Sequence, residues 1–219
     1  MSGIFVTATG TDVGKTFVSA LIAKKVKDFG FDVGYYKAAM SGFDDTNNDA
    51  LYVKNFAALS EEAGELVSFV YKAALSPHLA AKLEGNAPNL DTICADYRKL
   101  SSKHQFMVVE GSGGIVCPIR YDEVVLMLED IIKALRLSVV VVCSCALGGI
   151  NSAVLTVEYL KSRQIPIKGL IFNRYKGGVM EDDNIKMIQN LTALRPIAIV
   201  KEGDTALKTD KEALKSLFE

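Results

Sequence analysis

The stretch FVTATGTDVGKTF, Phe5–Phe17, decides how this chain is read. Three apolar residues, Ile4-Phe5-Val6, precede a glycine-containing loop, and Gly14-Lys15-Thr16 then opens an amphipathic run. Phosphate-binding loops between a strand and a helix follow G-x-x-x-x-G-K-[ST], and the first glycine of that pattern falls on Thr9 here. The strict pattern fails, yet the part that carries the chemistry is present. Backbone N–H groups at a helix start, reinforced by the helix dipole, favour anionic oxygen. In such a cradle Lys15 reaches the β and γ phosphates and the Thr16 hydroxyl holds Mg²⁺. The competing reading is an ordinary strand-to-helix turn with an exposed lysine; the strand before the loop and the helix after it favour the cradle.

Working outward, short β-rich runs alternate with helical periodicity. Ile4–Thr9, Val33–Lys37, Phe106–Glu110, Val139–Cys143, Ile167–Phe172 and Ile197–Val200 are the expected strands. Near-continuous apolar strands separated by helices define an α/β fold with a central, mostly parallel sheet and helices on both faces. The helical stripes are Val18, Leu21, Ile22, Val26; Val125, Leu128, Ile132, Leu135; and Ile150, Val154, Val157, Leu160. Gly30, Gly34, Gly169 and Gly203 are expected in helix-to-strand turns, and no Ser- or Pro-rich linker divides the chain. A single domain over 1–219 is expected, with a helical insertion around 41–103 in which Ser76-Pro77 starts a helix.

With 25 basic and 26 acidic side chains the charge is balanced, and no basic run suggests nucleic acid or a membrane surface. Cys94, Cys117, Cys143 and Cys145 show no C-x-x-C spacing, which reads as reduced, structural thiols. The chain enters a strand almost at once and has no apolar run of membrane-spanning length, so a cytoplasmic protein is expected. His78 and His104 lack metal-ligand spacing, and His78 reads as a first-turn helix residue.

Ligands of open parallel sheets bind outside the carboxyl ends of the strands, so the residues just after each apolar run carry the search for a site. YYKAAMSG brings Lys37 and Ser41, EGSGGIVCP brings Glu110 followed by glycines, and FNRY brings Asn173. Glu110 closes what should be a central strand, where a carboxylate is costly to bury without a partner. Mg²⁺ held jointly with Thr16 is such a partner. Asp49, in TNNDALYV, is the second carboxylate candidate, and equally a residue type favoured at helix starts. Lys37 taken alone reads as a solvated lysine. The Asn173 amide can both donate and accept, as reading a purine edge requires.

Taken together, TGTDVGKT, KAAMSG, NNDALYV, LSPHLAAK, VEGSGG, ALGGINSAVLT and IFNR stand in the order and at about the spacing of dethiobiotin synthetases, and the chain resembles that family over about residues 1–175. The resemblance implies a homodimeric P-loop NTPase fold in which 7,8-diaminononanoate, CO₂ and MgATP give dethiobiotin, ADP and phosphate. It implies a nucleotide site on Asp12, Val13, Gly14, Lys15, Thr16, Phe17 and Asn173, with Mg²⁺ on Thr16, Asp49 and Glu110. Lys37 would lie against a substrate carbamate and the transferring phosphoryl group, Thr11 and Ser41 would orient the reacting end, and Gly111 would line the substrate site. The helix start at Gly148, Gly149, Ile150 and Asn151 would receive the substrate carboxylate across the dimer interface; without the resemblance these residues are a Gly-rich cap.

Three departures from the family pattern stand out: Ala8 replaces a glycine, Asp12 replaces a glutamate, and IVKEGDTAL replaces a proline-containing loop that contacts the base. The triphosphate chemistry is therefore expected to be intact and base recognition loose. Two rivals share the fold. A dimeric ATP switch of the partitioning or site-placement kind carries an early loop lysine where this chain has Gly10, and a cobyrinate-type amide ligase needs a glutaminase domain for which there is no room.

Overall fold

A computed structural model describes residues 2–46 and 48–219. Asn47, inside the NNDALYV motif, lies outside the described residues. The elements run in the order β1 (Ser2–Ala8), α1 (Lys15–Asp28), β2 (Val33–Ser41), α2 (Asp49–Ala57), β3 (Val67–Tyr71), α3 (Pro77–Glu84), α4 (Leu90–Ser101), β4 (Phe106–Glu110), β5 (Pro118–Tyr121), β6 (Val125–Met127), α5 (Leu128–Leu135), β7 (Ser138–Ser144), α6 (Gly149–Ser162), β8 (Ile167–Tyr175), α7 (Val179–Thr192), β9 (Pro196–Lys201) and α8 (Lys211–Ser216).

Seven strands form one sheet in the order β3-β2-β4-β1-β7-β8-β9, and every pairing in it is parallel. The apolar runs dictate this. Ile4, Phe5 and Val6 in β1 and Val139 to Val142 in β7 are fully buried, which only a sheet covered on both faces allows. Each such side chain contributes on the order of 1.5–3 kcal/mol by leaving water. The stripe Val18, Leu21, Ile22 and Val26 is the buried face of α1, as expected, and a left-handed Gly30 closes that helix. β1 lies between β4 and β7, where the strand order reverses, so the cleft at the carboxyl ends of β1, β4 and β2 is where an open sheet takes its ligand.

Four expectations need correction. The stretch 41–103 is not a purely helical insertion, because Val67–Tyr71 forms β3, the edge strand of the central sheet; its burial alternates residue by residue, the mark of a half-covered strand. Val125 is not part of a helical stripe: it is exposed in β6, which pairs antiparallel with β5, and α5 starts only at Leu128. Gly34 and Gly169 lie inside strands instead of turns. A Cβ on Gly34 would sit 2.5 Å from the His104 ring, and Gly169 marks a bulge opposite Val140 with φ of 154°. Finally, β2 runs on to Ser41, so Lys37 sits in mid-strand and not at its end.

Pro77 opens α3 with His78 in its first turn, as expected. The four cysteines are free thiols, three of them buried. Among the described residues no helix is long and apolar enough to cross a membrane.

Candidate active site

The β1–α1 loop curls over the carboxyl end of the sheet. Two of its residues have left-handed backbone, Asp12 with φ of 59° and Gly14 with φ of 98°. Asp tolerates that region better than most side chains because its short carboxylate bonds locally, which gives a physical reason for aspartate at this place. Neither Ala8 nor Thr9 has positive φ, so the loop closes without a glycine at either position. Gly14 is required twice over: by its φ and because a Cβ there would come within 2.1 Å of Asn173 Nδ2.

A cleft of about 330 Å³ opens beneath this loop, lined by Thr11, Asp12, Gly14, Lys15, Thr16 and Lys37, with Ser41, Asp49 and Glu110 also on its wall. At its floor five side chains interlock. Thr16 Oγ1 lies 2.8 Å from Glu110 Oε1 and 3.1 Å from Asp49 Oδ1. Lys37 Nζ donates to the same Glu110 oxygen at 2.7 Å and to Asp49 Oδ2 at 2.5 Å. Tyr35 donates its hydroxyl to Glu110 Oε2 at 2.8 Å. Lys15 Nζ points back to the Gly10 carbonyl at 3.2 Å.

Asp49 is both things the sequence allowed. It is the first residue of α2, whose cap is Asn48, and its carboxylate turns into the cleft. Lys37 is only 4 % exposed and not solvated. Burial by itself would lower its pKa, but the Glu110 and Asp49 carboxylates outweigh this and hold the ammonium above its usual value. Burial also works to raise Asp49, and the Lys37 charge reverses the sign, keeping that carboxyl below its usual range. Burial pushes Lys15 below the usual lysine value, opposed by Glu110 and assisted by the Lys37 charge. Thr16, Asp49 and Glu110 bring one hydroxyl and two carboxylates to one point; these are hard oxygen donors of the number a Mg²⁺ ion uses when it keeps several waters.

Asn173 stands apart from this floor. Its Nδ2 donates to the Val13 carbonyl at 2.8 Å, fastening the loop to β8, while its Oδ1 is buried without a partner. One of the two amide N–H donors is thereby tied to the loop, while Oδ1 stays open as an acceptor. Phe17 and Asn173 border a second cavity beside Gly14 and do not line the main cleft. Gly111 does not line it either; a Cβ there would press on the Phe5 ring at 2.9 Å, so packing accounts for the glycine. Gly148 to Asn151 form the start of α6 beyond the end of β7, with Gly148 and Asn151 exposed, Ile150 half-buried and Gly149 buried, outside the cleft of their own chain.

Tyr35, Ser112 and Arg174 were not singled out by sequence. Tyr35 was legible in principle, because it precedes Lys37 by two in a strand and so shares its face. Ser112 donates to the Ala39 carbonyl at 2.7 Å, and Arg174, with φ of 58°, lines the cleft in a conformation that no sequence pattern signals.

A parallel sheet with a Gly-Lys-Thr loop between its central strand and first helix, facing an acid at the end of the neighbouring strand, defines a P-loop NTPase. A family model described as an AAA domain matches residues 2–206. Among solved structures the chain is similar to the MinC:MinD cell division protein complex of Aquifex aeolicus, with a TM-score of 0.59 at 15% identity over 92% of this chain and 82% of that one. It is also similar to a ParA family ATPase from Chlorobium tepidum TLS, with a TM-score of 0.56 at 13% identity over 99% and 90%. At such identities the likeness concerns the fold alone.

Sequence relatives say more. The chain is 51% identical to the ATP-dependent dethiobiotin synthetase BioD of Brachyspira hyodysenteriae over 99% of its own length and 98% of the relative's. It is 40% identical to the protein of that name from Clostridium botulinum strain Eklund 17B, over 99% and 98%. The chain belongs to the ATP-dependent dethiobiotin synthetase family.

Proposed function

We infer that the protein closes the ureido ring of dethiobiotin on 7,8-diaminononanoate, using CO₂ and MgATP, as a cyclo-ligase of biotin synthesis. Family membership supports ATP-dependent ligation as the reaction class. The observation that carries the reading in the site is the Lys37 ammonium, buried between Asp49 and Glu110 and beside Thr16. A cation so placed adjoins both a metal-binding set and the mouth of the cradle.

One substrate amine adds to CO₂ and loses a proton, giving a carbamate. A carbamate oxygen then attacks the γ-phosphorus and ADP leaves. The second amine attacks the carbonyl carbon of the resulting carbamic-phosphoric anhydride, and the ring closes as phosphate departs with loss of a proton. Phosphoryl transfer asks the protein for positioning and charge neutralisation more than covalent chemistry. Lys15, freed from the Gly10 carbonyl, neutralises the β and γ oxygens, and Lys37 holds the carbamate oxygen against the phosphoryl group. Thr11 and Ser41, both on the cleft wall, orient the reacting end. Mg²⁺, when bound by Thr16, Asp49 and Glu110, supplies charge neutralisation on the phosphates.

A homodimer belongs to the same reading. Leu147 and Val179, each 89% exposed, follow the neighbouring strands β7 and β8, and Leu155 and Leu191 add apolar surface on α6 and α7. A second copy covering that face would bring a substrate carboxylate from one protomer to Gly148–Asn151 of its partner, where helix N–H groups favour anions.

ADP release, measured with and without diaminononanoate and bicarbonate, tests the proposal. Turnover that needs both supports a ligase; slow hydrolysis indifferent to either supports the dimeric ATP switch of the partitioning or site-placement kind.

A further inference from the structure

Beside Gly14, sharing Gly14 and Arg174 with the cleft, lies a second cavity of about 230 Å³ bordered also by Phe17, Tyr52, Asn173 and Glu202. One wall is aromatic and is built in layers. Phe17, directly after the Gly-Lys-Thr run, meets Phe56 edge-on at 6.1 Å, and Phe56 in turn lies nearly parallel to Tyr52, centroids 5.9 Å apart and planes 21° from parallel. Tyr52 ends this column and remains 40% exposed, a large ring left half in solvent on a helix whose first residue, one turn earlier, is Asp49. On another side of the same cavity, the Asn173 side chain is 3% exposed and its Oδ1 is a buried acceptor with no partner among the described residues. A flat aromatic surface and an unused acceptor, both next to a phosphate cradle, call for a flat ring that carries hydrogen-bond donors.

Resting on the nucleotide reading above, we propose that Tyr52 is the stacking platform for the nucleobase, and that base binding here comes chiefly from this stack. Every base has a π-face, so a platform of this kind holds adenine, guanine and cytosine alike, whereas hydrogen bonds select among them. The geometry agrees with that division. The amide that could read an edge has one of its two N–H donors tied to Val13, and Glu202 sits in a loop that lacks the family's proline.

The sequence contains no tryptophan, so Tyr52→Trp places a single tryptophan, which can be excited apart from the tyrosines, at the proposed contact. The expected result is saturable quenching of its emission by ATP, GTP and CTP, and none by inorganic tripolyphosphate, which fits the cradle but has no base. Tyr52→Ala should raise KM for all three nucleotides by about tenfold or more, the scale of one lost base–aromatic stack, with the tripolyphosphate inhibition constant unchanged. Tyr52→Phe, which keeps the ring, should raise these KM values far less than Tyr52→Ala does. Calorimetric binding of nucleotide to Tyr52→Trp without any change in emission, or nucleotide KM values unchanged in Tyr52→Ala, overturns the platform while leaving the nucleotide reading in place. Absence of nucleotide binding to the parent protein would instead remove that reading, and the platform with it.

Discussion

Lys37 on β2 and Glu110 on β4 stand directly opposite one another in the parallel register, their Nζ and Oε1 atoms 2.7 Å apart. Neither charge could be buried alone at reasonable cost; together, with Tyr35, Thr16 and Asp49, they form a compensated floor beneath the phosphate cradle.

This pairing separates the two cleft lysines. Lys15→Ala should impair every use of ATP, because its ammonium serves the phosphates. Lys37→Ala should lower kcat and kcat/KM together by roughly 10²-fold or more, the scale of removing a preorganised electrostatic group, and leave nucleotide affinity largely intact. Steady-state kinetics with a parallel nucleotide-binding titration checks this, and near-normal turnover in Lys37→Ala would remove that residue from the chemistry.

Glu110→Gln keeps the shape and drops a charge. The amide oxygen can still accept from Lys37 and Thr16, and Tyr35 can turn to accept from the new NH₂, so stability should fall by only about 1–3 kcal/mol. Activity should fall much further and recover in part as Mg²⁺ is raised, because a hard cation needs the carboxylate. A large drop in melting temperature with no Mg²⁺ rescue would mark Glu110 as a structural group.

Gly14 and Asn173 should prove coupled. Gly14→Ala sets a methyl against Asn173 Nδ2 and strains a φ of 98°, so it should abolish nucleotide binding. Asn173→Ala removes the clash partner and also the tie to Val13, so the two losses should not add in a double-mutant cycle. Additivity within about 0.5 kcal/mol would show that the loop and β8 act independently.

Base selectivity should be modest. Since one Asn173 N–H is tied to Val13 and the loop after β9 lacks the family's proline, ATP, GTP and CTP should differ by no more than about tenfold in kcat/KM, about 1.4 kcal/mol. A roughly thousandfold preference, about 4 kcal/mol, would reveal a specific base pocket formed by residues 196–208.

The pH dependence of folding has a definite sign at Asp49. Its folded pKa lies below the ordinary 3.8, so its contribution is complete above that value and disappears as pH falls through the lower folded one. Lys37, raised above 10.5, contributes fully below 10.5 and loses this only as pH rises through its higher folded value. The pair is therefore intact across the neutral range. Asp49→Asn should melt lower at pH 7 by roughly 2–4 °C, the effect of about 1 kcal/mol in a chain of this size once solvent screening of a partly exposed carboxylate is allowed for. Thermal melts at pH 7, 5 and 3.5 should show the gap closing at the acid end; a constant gap would mean that Asp49 matters for its shape and not its charge.

The amino-acid sequence by itself determined the parallel sheet, the cradle and four candidates for the floor, Thr16, Lys37, Asp49 and Glu110, but not Tyr35. Runs such as Ile4-Phe5-Val6 and Val139–Val142 can be buried on both faces only in such a sheet, and Gly-Lys-Thr after the first of them carries its chemistry locally. Tertiary structure alone decided what depends on separation in the chain. β3 escaped notice because Val67–Tyr71 alternates like any half-exposed stretch until β2 pairs with it. Lys37 read as a solvated lysine until β4 brought Glu110 opposite it, 73 positions away in the chain. Asn173 read as a free amide until Val13, 160 positions earlier, took one of its two N–H donors. A side chain's residue type sets which bonds it can make; which bond it does make depends on the partner that folding delivers, and a buried polar group must accept whatever partner the packing leaves within 3 Å or so.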